Sequence, residues 1–171
     1  MKKIHFHFFY VAILAVILLT GCSSDKNDNP LNPGNPTNSE AKLTLNGGPF
    51  SNQAVTLSNG VSAFSLSDTT TAVLFSGTLS ADSLYFYVIF KGNQTGLKNW
   101  DDDNGVVMYK NGTSGLSTYI GVSQGSTTVS SYGSVGGKVE GTVSGKIIDA
   151  VTQTEVNVSG NFSATRIQDI N

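Results

Sequence analysis

Lys138-Val139-Glu140-Gly141-Thr142-Val143-Ser144-Gly145-Lys146-Ile147 changes character at every step: Val139, Gly141, Val143, Gly145 and Ile147 fall on one side, and Lys138, Glu140, Thr142, Ser144 and Lys146 on the other. That period of two is the pattern of a β-strand with one dry and one wet face. Val156, Val158, Gly160, Phe162 and Ala164 repeat it in the next segment. Two neighbouring strands of this kind require an antiparallel sheet packed on a second layer. The expected fold is therefore all-β over residues 41–171, an antiparallel β-sandwich of about nine or ten strands with a β-barrel as the alternative. Glycines within the inward stripe leave room for large rings, including Phe86, Phe90 and Phe162, or mark bulges.

Working outward, Leu84-Tyr85-Phe86-Tyr87-Val88-Ile89-Phe90 is apolar on both alternating faces and belongs at the centre of the core. Four Asn-Gly pairs, Asn46-Gly47, Asn59-Gly60, Asn104-Gly105 and Asn111-Gly112, are the preferred dipeptide of type I′ hairpin turns and divide the chain into hairpins. The strands expected between them are Lys42 to Leu45, Gln53 to Leu57, Val61 to Leu66, Thr71 to Leu79, Leu84 to Phe90, Gly105 to Tyr109, Thr118 to Val122, Thr127 to Val135, Lys138 to Asp149 and Val156 to Arg166. The composition agrees, with 19 glycines and only 13% charged residues.

The N-terminus is of another kind. Lys2 and Lys3 precede an uninterrupted apolar run from Phe8 to Leu19, and Thr20-Gly21 supply small residues before Cys22, the three-part pattern of a cleaved secretory signal. The run falls short of the roughly 20 residues a membrane helix needs. Leu19-Thr20-Gly21-Cys22 resembles the lipobox of bacterial lipoproteins, in which the Cys is diacylated before cleavage. The resemblance implies a lipoprotein signal peptide at residues 1–21 and a palmitate-bearing Cys22. Two or three acyl chains, each buried CH₂ contributing about 0.8 kcal/mol, anchor a protein stably to a membrane.

Residues 23 to 40 carry almost nothing that could enter a core, and Asn-Pro recurs at Asn29-Pro30, Asn32-Pro33 and Asn35-Pro36. Together with Cys22 they form a disordered tether, stiffened by its prolines and able to span up to about 55 Å. Ser23-Ser24-Asp25-Lys26-Asn27-Asp28 resembles the polar, acidic, Lys-containing segment that follows the Cys in surface-exposed lipoproteins of the Bacteroidota. The order of Tyr132-Gly133, Gly136 to Gly145, Val158 to Ser163 and Arg166 also looks like the close of small Bacteroidota lipoproteins with domains of unknown function. That resemblance covers roughly the last forty residues and reaches weakly back to Leu43-Thr44-Leu45-Asn46-Gly47. It implies an all-β lipoprotein of the cell envelope, anchored in the outer membrane, and no catalytic residues to transfer.

Loss of the leader leaves eight basic against twelve acidic side chains, which disfavours nucleic acid as a partner. Acylation of Cys22 removes the only thiol, and His5 and His7 both leave with the leader. Ser-His-Asp and Cys-His catalysis and His- or Cys-ligated zinc are thereby excluded. Gly136-Gly137-Lys138 lacks the flanking residues and the following helix of a phosphate loop. An enzyme would have to act through carboxylates alone, as glycosidases do, and Glu140 and Glu155 are the acids in or beside strands. The expectation is no enzyme but a structural or ligand-binding module, with a carboxylate-dependent glycan-active enzyme as the alternative.

Candidate binding residues cluster in one stretch. Asn99, Trp100, Asp101, Asp102 and Asp103 combine an aromatic ring with hydrogen-bonding side chains, as a sugar-binding loop requires. The competing expectation is a Trp100 that caps the core and an Asp101 to Gly105 stretch that is a solvated hairpin turn. Ca²⁺ is a possible ligand of the three aspartates, although the EF-hand register fails, with Trp100 at position one and Asn111 at position twelve. Asp68-Thr69-Thr70 and Asp82-Ser83-Leu84 resemble the O-glycosylation acceptor of Bacteroidota. The resemblance implies glycans on Thr69 and Ser83 between strands, where Asp-Ser/Thr turn chemistry is the other reading.

Overall fold

The computed structural model describes residues 39–80, 82–112, 115–149 and 153–171, with the backbone alone for 110–123 and 149. Cys22 and the segments expected to be leader and tether, up to residue 38, lie outside the described residues. Nine strands follow one another without a helix among the described residues: β1 (Glu40–Gly47), β2 (Phe50–Ser65), β3 (Thr70–Leu79), β4 (Asp82–Lys91), β5 (Gly96–Asn99), β6 (Gly105–Gly112), β7 (Gly115–Tyr132), β8 (Lys138–Asp149) and β9 (Glu155–Ile170). They form one curled sheet in which almost every ladder is antiparallel. β1 lies between β2 and β9, β3 between β2 and β4, and β6 between β4 and β7. β7 carries β6 and then β5 along one edge and β8 along the other, and β8 continues to β9.

Two strands are longer than the turn signals imply. Asn59-Gly60 is a bulge inside β2, not a hairpin turn: the register slips between Ser58 and Val61, and Asn59 takes φ 55. The slip frees the Gly60 N–H, which donates to Ser39 O at 3.0 Å where the chain enters β1. Ser39 is held there by Thr165 Oγ1 at 2.8 Å and Lys138 Nζ at 2.9 Å. Likewise β7 runs through an irregularity between Gly121 and Gly125 instead of ending, and it stops at Tyr132, leaving Val135 exposed in the next turn. The first hairpin turns on Gly48-Pro49, closed by the Gly47↔Phe50 pair; Gly48 takes φ 57 at the first central position, as a type II′ turn requires, and Gly47 before it takes φ 111. Asn104-Gly105 has no positive φ and opens β6. Asn111 and Gly112 pair with Leu116 and Gly115 within the β6–β7 ladder.

The alternation of β8 and β9 holds: Val139, Val143, Ile147, Val156, Val158, Phe162 and Ala164 all join the core. From β3 and β4 come Val73, Phe75, Leu84, Phe86, Val88 and Phe90. The inward glycines do make room for rings. A Cβ on Gly60 would meet the Phe75 ring, one on Gly141 would stand 2.9 Å from Phe162, and those on Gly125 and Gly145 would run into Trp100.

On the reverse face of the same sheet, the register aligns Val107, Tyr87, Leu74 and Val61 in one row across β6, β4, β3 and β2. Tyr87, Leu74 and the neighbouring Ile89 are also buried, which accounts for the doubly apolar Leu84–Phe90 run. Tyr87 packs edge-on to Tyr109 at 5.6 Å. Burial raises the Tyr87 phenol above its ordinary 10.0, and Tyr109 and Tyr85 add to the shift. A group whose folded pKa exceeds its unfolded one binds its proton more tightly in the native state, so its contribution to stability is lost as pH rises past the unfolded value. The melting temperature is expected to fall as pH climbs above about 10, and to fall less steeply in Tyr87→Phe. Equal slopes in thermal melts of the two proteins would contradict this.

Candidate functional site

The topology sorts the loops. One end of the sheet carries the β2–β3, β4–β5, β5–β6 and β7–β8 connections together with the chain entry at Ser39 and the end of β9. Thr69, Asn99 and Asp101 to Asp103 all come to this end, whereas Ser83 lies at the other.

Trp100 does not present its ring to solvent. It is 3% exposed, lies across Gly125 and Gly145, and donates its indole N–H to Thr127 Oγ1 at 3.0 Å. Its main-chain N–H donates to Gly125 O at 2.9 Å, which fixes the end of β5 against β7. The ring therefore caps the core and is no platform for a sugar. Asn99, paired with Ser126, remains exposed beside it.

The aspartates form an Asx-type turn and not a hairpin, because β5 pairs with β7 and β6 with β4 and β7. Asp101 Oδ1 accepts from Asp103 N at 2.8 Å and from Asn104 N and Nδ2, both at 2.9 Å. Asn104 Oδ1 in turn accepts from Lys91 N at 2.9 Å. Asp103 faces Lys91 Nζ at 3.9 Å with both side chains largely in water, a pairing of little energetic weight. Among the described residues, no three acidic side chains converge on a point where Ca²⁺ could sit. One oxygen of Asp101 is thus committed to holding the turn, while Asp102 and Asp103 stay exposed.

Thr69 is exposed at the β2–β3 turn, with φ 53 and its hydroxyl donating to Asp68 O at 2.7 Å. Ser83, expected between strands, is instead a ladder residue of β4, paired with Thr78 on one side and Asn111 on the other. Glu140 accepts from Ser163 Oγ at 3.0 Å, and Glu155 pairs with Lys146 at 2.9 Å. The two acids stand at register positions Glu140↔Ser163 and Ile148↔Glu155. Eight residues of β8 separate those positions, about 26 Å at a strand's rise, well beyond the spacing of a glycosidase pair.

Beneath the loops at this end is a polar tier that the sequence does not announce. Thr71, fully buried, gives its one hydroxyl proton to Gly92 O at 2.7 Å, so Tyr132 O–H must donate to Thr71 Oγ1 at 2.8 Å. Burial holds the Tyr132 phenol above its ordinary range. The Arg166 guanidinium lies 5.1 Å over the Tyr132 ring, donates Nη1 to Gly133 O at 3.0 Å and pairs Nη2 with Asp169. Arg166 is the last residue of the expected strand Val156 to Arg166, and its parity, shared with Phe162 and Ala164, is the signal that it is buried.

No family model matches the chain, and neither a curated protein nor a solved structure matches it significantly.

Proposed function

We propose that the chain is a lipid-anchored lipoprotein of the bacterial cell envelope, carrying a non-catalytic all-β domain as a structural or ligand-binding module. The observation that carries this reading is Leu19-Thr20-Gly21-Cys22 directly after the apolar run from Phe8 to Leu19. The Asn-Pro-rich segment behind it is suited to hold a domain away from a bilayer, and Ser23 to Asp28 favours the outer, surface-exposed leaflet.

For the domain, we take the curled sheet to be a closed barrel with β5 as a short side strand. The pairings of β8 with both β7 and β9, and of β9 with β1, support it, since every strand except β5 then has a neighbour along both edges. A barrel of about eight strands is just wide enough inside for side chains to fill or for one small ligand. Phe75, whose ring meets those of both Phe86 and Phe162, is an interior side chain of the first kind. Ligand contacts, whether with a glycan or an envelope protein, then belong to the loop end around Asn99 and Asp101 to Asp103, without the Trp100 ring.

Processing tests the anchor. Because acylation precedes cleavage in the lipobox reading, Cys22→Ala is expected to retain the 21 leader residues, seen as a larger protein on immunoblots of the expressing cells. Normal processing of Cys22→Ala would contradict it.

A further inference from the structure

We infer that Ile167–Asn171 is a detachable strap over the edge of β2, which opens while the rest of the domain stays folded. The observation behind it is a concentration of unsatisfied polar atoms at one seam. The described buried side-chain nitrogens and oxygens without a hydrogen-bond partner in the protein are Ser62 Oγ, Arg166 Nε and Gln168 Nε2. Ser62 and Arg166 are register partners, and Gln168 is the partner of Ala63. Each has given up hydration and gained nothing in return. The same seam is the one parallel pairing among the described ladders, and its register slips between Ser62 and Ala63. Local satisfaction is therefore poorest where β9 leaves β1 and crosses to β2.

The chain is firmly held just before this point. Arg166 N donates to Gly137 O at 2.9 Å, Gly136 N donates to Arg166 O at 2.7 Å, and the guanidinium reaches Gly133 O. Beyond Arg166 the described ladders hold the chain along one edge only, by the parallel pairing of Gln168, Asp169 and Ile170 with Ala63, Phe64 and Ser65, to which the Asp169 carboxylate on the guanidinium and Leu66 N donating to Ile170 O at 2.8 Å are added. Arg166 is thus a fixed pivot, and the five residues after it pair with β2 alone, in the ladder whose register slips. Lifting them uncovers the β2 main chain from Ala63 to Ser65 and the Phe64 ring, now 7% exposed. An edge so uncovered has unpaired N–H and C=O groups, and the strap is the segment that covers them in the closed state.

Native-state hydrogen exchange on the full domain, resolved by residue, tests this. The Leu66 amide is expected to exchange at least about a hundredfold faster than the β3–β4 amides, independently of low denaturant, as a local opening requires. Gln168→Met, which removes an unsatisfied buried amide without removing bulk, is expected to slow Leu66 exchange several-fold. Asp169→Asn is expected to speed it, with the β3–β4 amides unchanged in both variants as the control for intact folding. Exchange of Leu66 on the same denaturant-dependent course as β3–β4, or a Gln168→Met protein with unaltered Leu66 exchange, would overturn the strap.

Discussion

Gly145→Val is expected to destabilise the domain strongly and to lower its melting temperature. A Cβ on Gly145 would run into the Trp100 ring and stand 2.6 Å from Gln124 O. The indole could be displaced, but the Gln124 carbonyl is main chain, so β7 and β8 would have to part. Overpacking usually costs about 1–3 kcal/mol and more where backbone must move, and a domain of this size has roughly 5–15 kcal/mol in total. Trp100, the only tryptophan, reports the event directly: its emission should shift to the red as the ring leaves its seat over Gly125 and Gly145. Gly145→Ala should show a smaller loss in the same direction. A Gly145→Val protein with native emission and unchanged melting would show that the ring is not seated as described.

Phe75→Ala is the second large effect. Phe75 is fully buried and meets Phe86 at 6.4 Å and Phe162 at 6.2 Å, joining β3, β4 and β9 through one ring. Its ring also covers Gly60, so truncation would leave the bulge of β2 with no cover from the core side. Removal of such a side chain costs about 3–5 kcal/mol, the spread reflecting how far the surroundings collapse. Urea unfolding should show the midpoint falling with little change in slope. A loss below about 1 kcal/mol would place Phe75 outside the core that holds the sheet together.

Much of this fold is legible in the residues, for identifiable reasons. Lys138 to Asp149 and Val156 to Arg166 pair along one ladder with one face inward, so their alternation survives unmixed. Leu84 to Phe90 reads as central because both of its faces are buried. What period and turn chemistry do not convey is whether an Asn-Gly pair ends a strand or merely bends it. Asn59-Gly60 bends one, because the freed Gly60 N–H finds Ser39 O instead of a turn partner. β5 escapes notice because Gly96 to Asn99 has one apolar side chain, Leu97, and that one is exposed. Its place is set by four ladder pairs with β7 and by the seat of Trp100, both long-range.

The loop chemistry was harder to read for the same reason. Trp100 beside Asn99 and three aspartates has the composition of a sugar site, but the orientation of the ring depends on Gly125 and Gly145, which lie far along the chain. Asp101 to Asp103 have the composition of a cation site, yet one oxygen of Asp101 already accepts from three local donors. Composition names the side chains available; the fold decides which are consumed in holding the loop. The polar tier of Thr71, Tyr132 and Arg166 is likewise assembled from three separate strands.

We propose that the sulfur of Cys22 carries lipid and that the residues after it are presented by that anchor. Growth with radiolabelled palmitate, followed by immunoprecipitation, measures this directly. The wild-type chain should incorporate label and Cys22→Ala none. A wild-type chain without label, or a Cys22→Ala chain that keeps it, would contradict the claim.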